Sequence, residues 1–271
     1  MLNGKIALYN GVKIPVIGAG TWQISDSVVE RTVESAISVG YRHIDTAAAY
    51  ENESGVGRGV KASGVAREEL FITSKIPAEY KTYEISKKTI EESLTFLQTD
   101  YIDLMLIHAP RPWDEMNDDC RKTYHEENAE VWRALEEGYE AKKFRAIGVS
   151  NFSVDDLKNL MARGKIKPMV NQISCFIGRT PLEVLNFCKE NDIVVEAYSP
   201  IATGALLKNT GIGEMAKKYG VSIPRLCIKY VLQLGTVALP KTTHKEYMEE
   251  NAKLDFQISQ SDMENLMKFE I

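Results

Sequence analysis

Apolar positions along the chain recur with two different periods, and the two alternate. Short apolar runs begin near Val16 (VIGAGT), His43 (HIDT), Phe71 (FITSKI), Ile102 (IDLMLIH), Arg145 (RAIGVS), Met169 (MVNQIS), Ile193 (IVVEAYS) and Thr236 (TVALP). Each is β-rich and bounded by turn residues, which predicts eight strands. Between them the period lengthens to that of a helix. Val29, Val33, Ala36 and Ile37 form one stripe, with Ser25 or Asp26 placed to cap it and Gly40 to stop it. Comparable stripes cover 85–97, 131–135, 182–188 and 226–234, and a further short helix is expected over 259–269. A strand with its crossover helix needs roughly 30 residues, and every gap between strand starts can hold one helix.

Strands that alternate one by one with helices, and that are apolar almost throughout, form a parallel sheet covered by helices. Eight such units predict an α/β fold, a closed (β/α)8 TIM barrel. The doubly wound alternative needs a phosphate-binding glycine turn after its first strand. Gly18-Ala19-Gly20 begins one, but Gln23 stands where the third small residue belongs. Gly211-Ile212-Gly213-Glu214-Met215-Ala216 matches the pattern but follows a loop, so it is read as a chance match. Ahead of the barrel, 6–14 reads as a β-hairpin around Asn10-Gly11, a pair suited to a type I′ turn, which could plug the lower end. No composition break or repeat divides the chain, so 1–271 is expected to be one domain. The longest gaps follow the fourth and seventh strands, on the face where barrels build their sites.

Composition narrows the partners. Of 271 residues, 44% are hydrophobic and 26% charged, which excludes a low-complexity chain. Thirty-three basic against thirty-eight acidic residues leave a net charge of −5, the wrong sign for a nucleic-acid binder. Neither a signal peptide nor a membrane span is legible, so a cytoplasmic location without membrane contact is expected. Cys120, Cys175, Cys188 and Cys227 lie far apart and read as reduced, mostly buried thiols. Only His43 and His108 of the four histidines lie in strands, so no metal site and no metal-dependent barrel hydrolase is expected.

The expected C-terminal ends of three neighbouring strands carry Asp45, Lys75 and His108, and Tyr50 follows in the loop after Asp45. Each alone has an ordinary reading as a helix cap, a solvated lysine, a core histidine or a rim tyrosine. Four ionisable groups at one end are harder to explain so, because buried charges need partners. Their chemistry is that of a proton donor. A nearby ammonium favours the phenolate and should lower the Tyr50 pKa from about 10, with Asp45 holding Lys75 and His108 holding a substrate oxygen. A tyrosine acid of this kind suits an oxygen that becomes an alkoxide, as hydride addition to a carbonyl produces.

The sequence resembles the aldo-keto reductase family from about Gly11 to Leu266. The matching segments are Gly40-Tyr41-Arg42-His43-Ile44-Asp45-Thr46-Ala47 with Tyr50 and Asn52-Glu53, Ile72-Thr73-Ser74-Lys75, Asp103-Leu104-Met105-Leu106-Ile107-His108, Gly148-Val149-Ser150-Asn151-Phe152, Asn171-Gln172, Ala197-Tyr198-Ser199-Pro200 and Leu239-Pro240-Lys241-Thr242. The resemblance implies NAD(P)H-dependent reduction of aldehydes and ketones, with Asp45, Tyr50, Lys75 and His108 as the catalytic tetrad and Tyr50 as the acid. It implies that Ser150, Asn151 and Gln172 hold the nicotinamide carboxamide and that Tyr198 stacks on the ring. Thr21, Trp22 and Asp45 would line the nicotinamide, Ser199, Ile201 and Thr203 would pass the pyrophosphate, and Lys241, Thr242, Tyr247, Glu250 and Asn251 would hold the adenosine end. Trp22, Tyr50, His108 and Trp113 would wall the substrate. A monomer is expected.

Three departures from the family pattern sharpen the expectation. Tyr247 stands six residues after Lys241, where an arginine usually clamps the adenosine 2′-phosphate. Tyrosine cannot make that charged fork, so NADPH use with relaxed selectivity, open to NADH, is expected. Ala109 replaces the tryptophan after the catalytic histidine, and Trp113 could fold back in its place. Ser174-Cys175-Phe176-Ile177 replaces Glu-x-His-Pro, and little chain follows the last helix, which suggests an open site for small carbonyls. The alternative reading is a catalytically weak dinucleotide-binding redox sensor or structural barrel.

Overall fold

The computed structural model describes residues 2–116 and 122–270, so Cys120 lies outside the described residues. The chain opens with an antiparallel hairpin, β1 (Lys5–Ala7) and β2 (Lys13–Pro15). Its turn is not type I′. The Gly11 N–H donates to the Leu8 carbonyl and Gly11 alone adopts a left-handed φ, +85°, while the Asn10 side chain accepts the Val12 N–H at 3.1 Å. Three residues, Tyr9 to Gly11, lie between the bonded Leu8 and Val12. That loop length favours a type I turn followed by a left-handed residue, rather than the two-residue I′ turn. Tyr9 and Asn10 reach the carbonyls of Lys167 and Arg145, fastening the hairpin beneath the barrel.

Eight parallel strands follow in chain order: β3 (Ala19–Gly20), β4 (His43–Asp45), β5 (Phe71–Ile76), β6 (Ile102–Ile107), β7 (Phe144–Ser150), β8 (Val170–Ser174), β9 (Val194–Tyr198) and β10 (Val237–Leu239). They form a nearly closed (β/α)8 barrel. The first run is shorter as a strand than VIGAGT suggests because it changes partner. Ile17 bridges Ala238 on β10, whereas Ala19 and Gly20 pair with Ile44 and Asp45 on β4. All residues of β5 and β6 are buried, as strands covered on both faces must be.

Ten helices surround the strands among the described residues: α1 (Asp26–Val39), α2 (Glu53–Ala62), α3 (Tyr83–Leu97), α4 (His125–Glu140), α5 (Val154–Arg163), α6 (Leu182–Glu190), α7 (Thr210–Lys218), α8 (Ile223–Gln233), α9 (Lys245–Asn251) and α10 (Gln260–Met267). The first behaves as its stripe predicts: Val29, Val33, Ala36 and Ile37 are buried, and Gly40 ends it at φ +111°. Close packing against it requires glycine on α2, since a Cβ on Gly55 would fall 2.4 Å from Val29. The gap after β9 holds two helices rather than one. Gly211 and Gly213 lie inside the first of these, α7, so the glycine pattern there opens no strand-to-helix turn. No helix among the described residues is long and apolar enough to cross a membrane.

Candidate active site

Four ionisable side chains meet at the C-terminal mouth of the barrel. Asp45 ends β4, Lys75 lies one residue before the end of β5, His108 follows β6, and Tyr50 ends the 3-10 turn Ala48–Tyr50. Lys75 Nζ donates to Asp45 Oδ1 and to the Thr46 carbonyl, both at 2.8 Å, and to the Tyr50 hydroxyl oxygen at 3.4 Å. All three ammonium protons therefore have acceptors, which is what lets a fully buried lysine keep its charge. The His108 and Tyr50 rings meet edge-on with centroids 5.5 Å apart. On its other side His108 meets Trp113, whose indole stands at 88° to it and 5.2 Å away.

Burial and mutual charge set the protonation states. Burial works against the Lys75 ammonium, but Asp45, Tyr50 and Glu196 outweigh it and hold its pKa above the ordinary value. Burial together with the Lys75 charge pushes His108 well below its usual value, so its imidazole is neutral near pH 7. The Tyr50 phenol is pushed up rather than down. Burial opposes the phenolate more strongly than Lys75 favours it, which corrects the expectation that the ammonium alone would decide.

The other expected site residues occupy neighbouring strand ends, the loops beyond them and α9. Ser150 donates to the Gln172 carbonyl at 2.8 Å. Asn151, left-handed at φ +61°, donates to the His108 carbonyl at 3.1 Å and accepts the Tyr198 hydroxyl at 2.8 Å. Gln172 Nε2 donates to Asp45 Oδ2 at 2.7 Å and to Glu196 Oε2 at 2.9 Å. Thr21 is buried with its hydroxyl on the Asp45 carbonyl, and Trp22 beside it is exposed. Beyond β9, Ser199 and Thr203 are left-handed at φ +51° and +52°, with Ile201 between them. Lys241 and Tyr247 lie exposed after β10, the latter with its ring 5.2 Å from that of His244, and Thr242 is half-buried. Glu250 faces Arg225 and Lys253, and Asn251 is buried.

Four polar side chains have roles that a reading of the sequence does not give. Asn52 is fully buried, donating to the Thr21 and Ile24 carbonyls and accepting the Thr46 hydroxyl, so it ties the loop of Tyr50 to the first strand. Lys81 donates to the Ala109 carbonyl at 2.8 Å and to Asn128 Oδ1 at 2.9 Å, while Asn128 donates to the Pro110 carbonyl. Together they brace the segment after His108. Glu196 sits inside the barrel, signalled only by an acid amid the apolar run of β9. The thiols of Cys175, Cys188 and Cys227 are buried and free, with burial pushing each up to about 11 or 12. Among the described residues no group of three or more His, Cys, Asp or Glu is placed to hold a metal ion.

Comparison with known proteins agrees with this architecture. The profile of the Aldo/keto reductase family matches residues 16–271. Glyoxal reductase of Bacillus subtilis (strain 168) is 43% identical over 267 residues, covering 98% of this chain and 92% of that one. An aldo/keto reductase of Brucella melitensis superposes with a TM-score of 0.89 at 34% identity, covering 98% of both chains. An aldo-keto reductase of Bombyx mori, solved in complex with NADP, superposes with a TM-score of 0.87 at 32% identity, covering 98% of this chain and 92% of that one.

Proposed function

The chain belongs to the aldo/keto reductase family, and from that premise we propose that it reduces small aldehydes and ketones to alcohols with NADPH, residues 1–271 acting as one domain. The observation that carries this reading is the Lys75 ammonium, held 2.8 Å from Asp45 and 3.4 Å from the Tyr50 hydroxyl beside a neutral His108. The residues present fit a nicotinamide dinucleotide. Asn151 and Gln172 offer amides for a carboxamide, the half-buried Tyr198 offers a ring face, and Lys241 and Thr242 offer a cation and a hydroxyl for phosphate.

The bound dinucleotide would supply a hydride to the carbonyl carbon. His108 and Tyr50 orient the carbonyl oxygen at the mouth. Tyr50 gives its hydroxyl proton to that oxygen as negative charge builds there, and the phenolate left behind is stabilised by Lys75. Asp45 keeps Lys75 charged and aimed, so its work is done through the lysine. Trp113, standing against His108, walls the substrate with Trp22. Because Tyr247 offers no guanidinium to a 2′-phosphate, NADH serves as a second donor.

The test follows NADPH and NADH consumption with glyoxal, a nitrobenzaldehyde and a small ketone. Consumption with both cofactors is expected. No consumption with any carbonyl, or a preference for NADPH beyond about a thousandfold, a gap wider than one lost charged hydrogen bond explains, would overturn the reading or its cofactor clause respectively.

A further inference from the structure

Glu196 is fully buried in β9, two residues before Tyr198, so both side chains project to the same side of the strand, with Glu196 one layer deeper. In register it lies beside Gln172 on β8. The Gln172 amide nitrogen divides its two protons between Asp45 Oδ2 at 2.7 Å and Glu196 Oε2 at 2.9 Å. Two carboxyl groups thus converge on one amide, and Asp45 already neutralises Lys75. The other Glu196 oxygen, Oε1, has no hydrogen-bond partner among the described residues and lies 3.5 Å from His43 Nε2. That nitrogen already meets Thr73 Oγ1 at 3.0 Å, and an unpaired buried carboxylate oxygen is costly, so the site favours the uncharged acid.

We propose that Glu196 is a positioning residue: as the neutral acid it fixes the Gln172 amide across to Asp45, leaving the amide oxygen for the nicotinamide carboxamide, and so sets cofactor affinity and its pH dependence. The role deepens the reductase reading above and rests on its placement of the nicotinamide at Gln172. The charged and titratable groups that face Glu196 are His43 and Asp45 from β4 and Lys75 from β5; Val237 on β10, its other neighbour in register, is apolar. Burial and the Asp45 carboxylate push the Glu196 carboxyl up to about 8, and burial lowers His43 to about 4. Both groups are therefore neutral at pH 7. Above pH 8 the ionised Glu196 repels Asp45 across the amide they share, and the amide loses its fixed orientation.

The test titrates NADPH into the wild-type chain and the Glu196→Gln and Glu196→Leu variants at pH 7 and pH 9, with kcat measured alongside. Wild type is expected to bind about tenfold more weakly at pH 9, the scale of one hydrogen bond. Glu196→Leu, which cannot accept from Gln172, should show a comparable weakening already at pH 7, with kcat reduced less than affinity. Glu196→Gln reproduces one acceptor and one donor, so it should recover most of the lost affinity and show no weakening at pH 9. The proposal is overturned if Glu196→Gln weakens at pH 9 as wild type does, or if folded Glu196→Leu binds as tightly as wild type. Wild-type chain that binds NADPH yet reduces no carbonyl would overturn the reductase reading, and the titrations would still decide the role of Glu196. Absence of NADPH binding would overturn both.

Discussion

The indole of Trp113 stands edge-on to the His108 imidazole, 5.2 Å between centroids, although four residues separate the two in sequence. Ala109, directly after His108, is fully buried and contributes only a methyl. The aromatic neighbour of the histidine therefore comes from a loop, on the 3-10 turn Trp113–Glu115, rather than from the strand end. Removing it with Trp113→Ala should raise KM for an aromatic aldehyde about three- to tenfold, the worth of one aromatic pair, with a smaller effect on glyoxal. Steady-state kinetics on the two substrates check this; equal effects on both would count against a substrate-facing indole.

Tyr50→Phe deletes the proton but keeps the ring that packs against His108. A loss of about 10²- to 10⁴-fold in kcat, typical of general acid catalysis, is expected, with NADPH affinity changed far less. Single-turnover reduction separates the two quantities, and full activity in the variant would remove Tyr50 as the acid.

Asp45→Asn takes the counter-charge from a lysine with no exposed surface. Breaking a buried pair in this way costs about 3–5 kcal/mol of stability, and the lysine should lose its proton more readily. Urea denaturation gives the first figure. A variant as stable as wild type would mean that the Tyr50 and Thr46 contacts of Lys75 suffice without Asp45.

Lys81 has its pKa lowered to about 7 by burial, against 10.5 for the free side chain. Between those values the unfolded chain binds more protons at this lysine than the folded one, so its contribution makes stability rise with pH from about 7 upward. Wild type should therefore gain stability relative to Lys81→Met between pH 7 and pH 9. The methionine also leaves the Ala109 carbonyl and Asn128 Oδ1 without their donor, costing about 1–3 kcal/mol for each buried group left unsatisfied. Denaturant melts of both proteins at the two pH values measure the slope and its sign.

Tyr247→Arg should increase the ratio of kcat/KM for NADPH over NADH about 10- to 100-fold, the range of a charged hydrogen bond. Tyr247 is 56% exposed, so the longer side chain has room. An unchanged ratio would show that Lys241 and Thr242 already hold the 2′-phosphate without it.

Much of this architecture is written locally in the chain. The stripe of α1 and its Gly40 stop, or the continuous apolar residues of β5 and β6, are decided by neighbours a few positions away. Asp45, Lys75 and His108 are equally legible because each breaks an apolar run at its C-terminal end. Glu196 is different. It stands mid-run, and its partners come from β4 and β8, so nothing near it in sequence distinguishes a barrel-lining acid from an exposed one. The direction of the Tyr50 shift likewise depends on how much solvent the folded mouth admits. The hairpin turn departs from type I′ because Asn10-Gly11 favours that type only in a two-residue loop, and here the Leu8–Val12 bond encloses three.

The barrel is held unevenly around its circumference. Neighbours such as β8 and β9 share a five-pair register, but the first run meets β10 through a single bridge at Ile17 and a few flanking backbone bonds. That joint lies just below Thr21 and Trp22 on one side and Lys241 and Thr242 on the other. As the ring breathes, amides along this joint should exchange with solvent ahead of those in β5 and β6. A dinucleotide bound across both sides would act as a clasp, and without one the mouth should lose its shape on warming before the helices around it do.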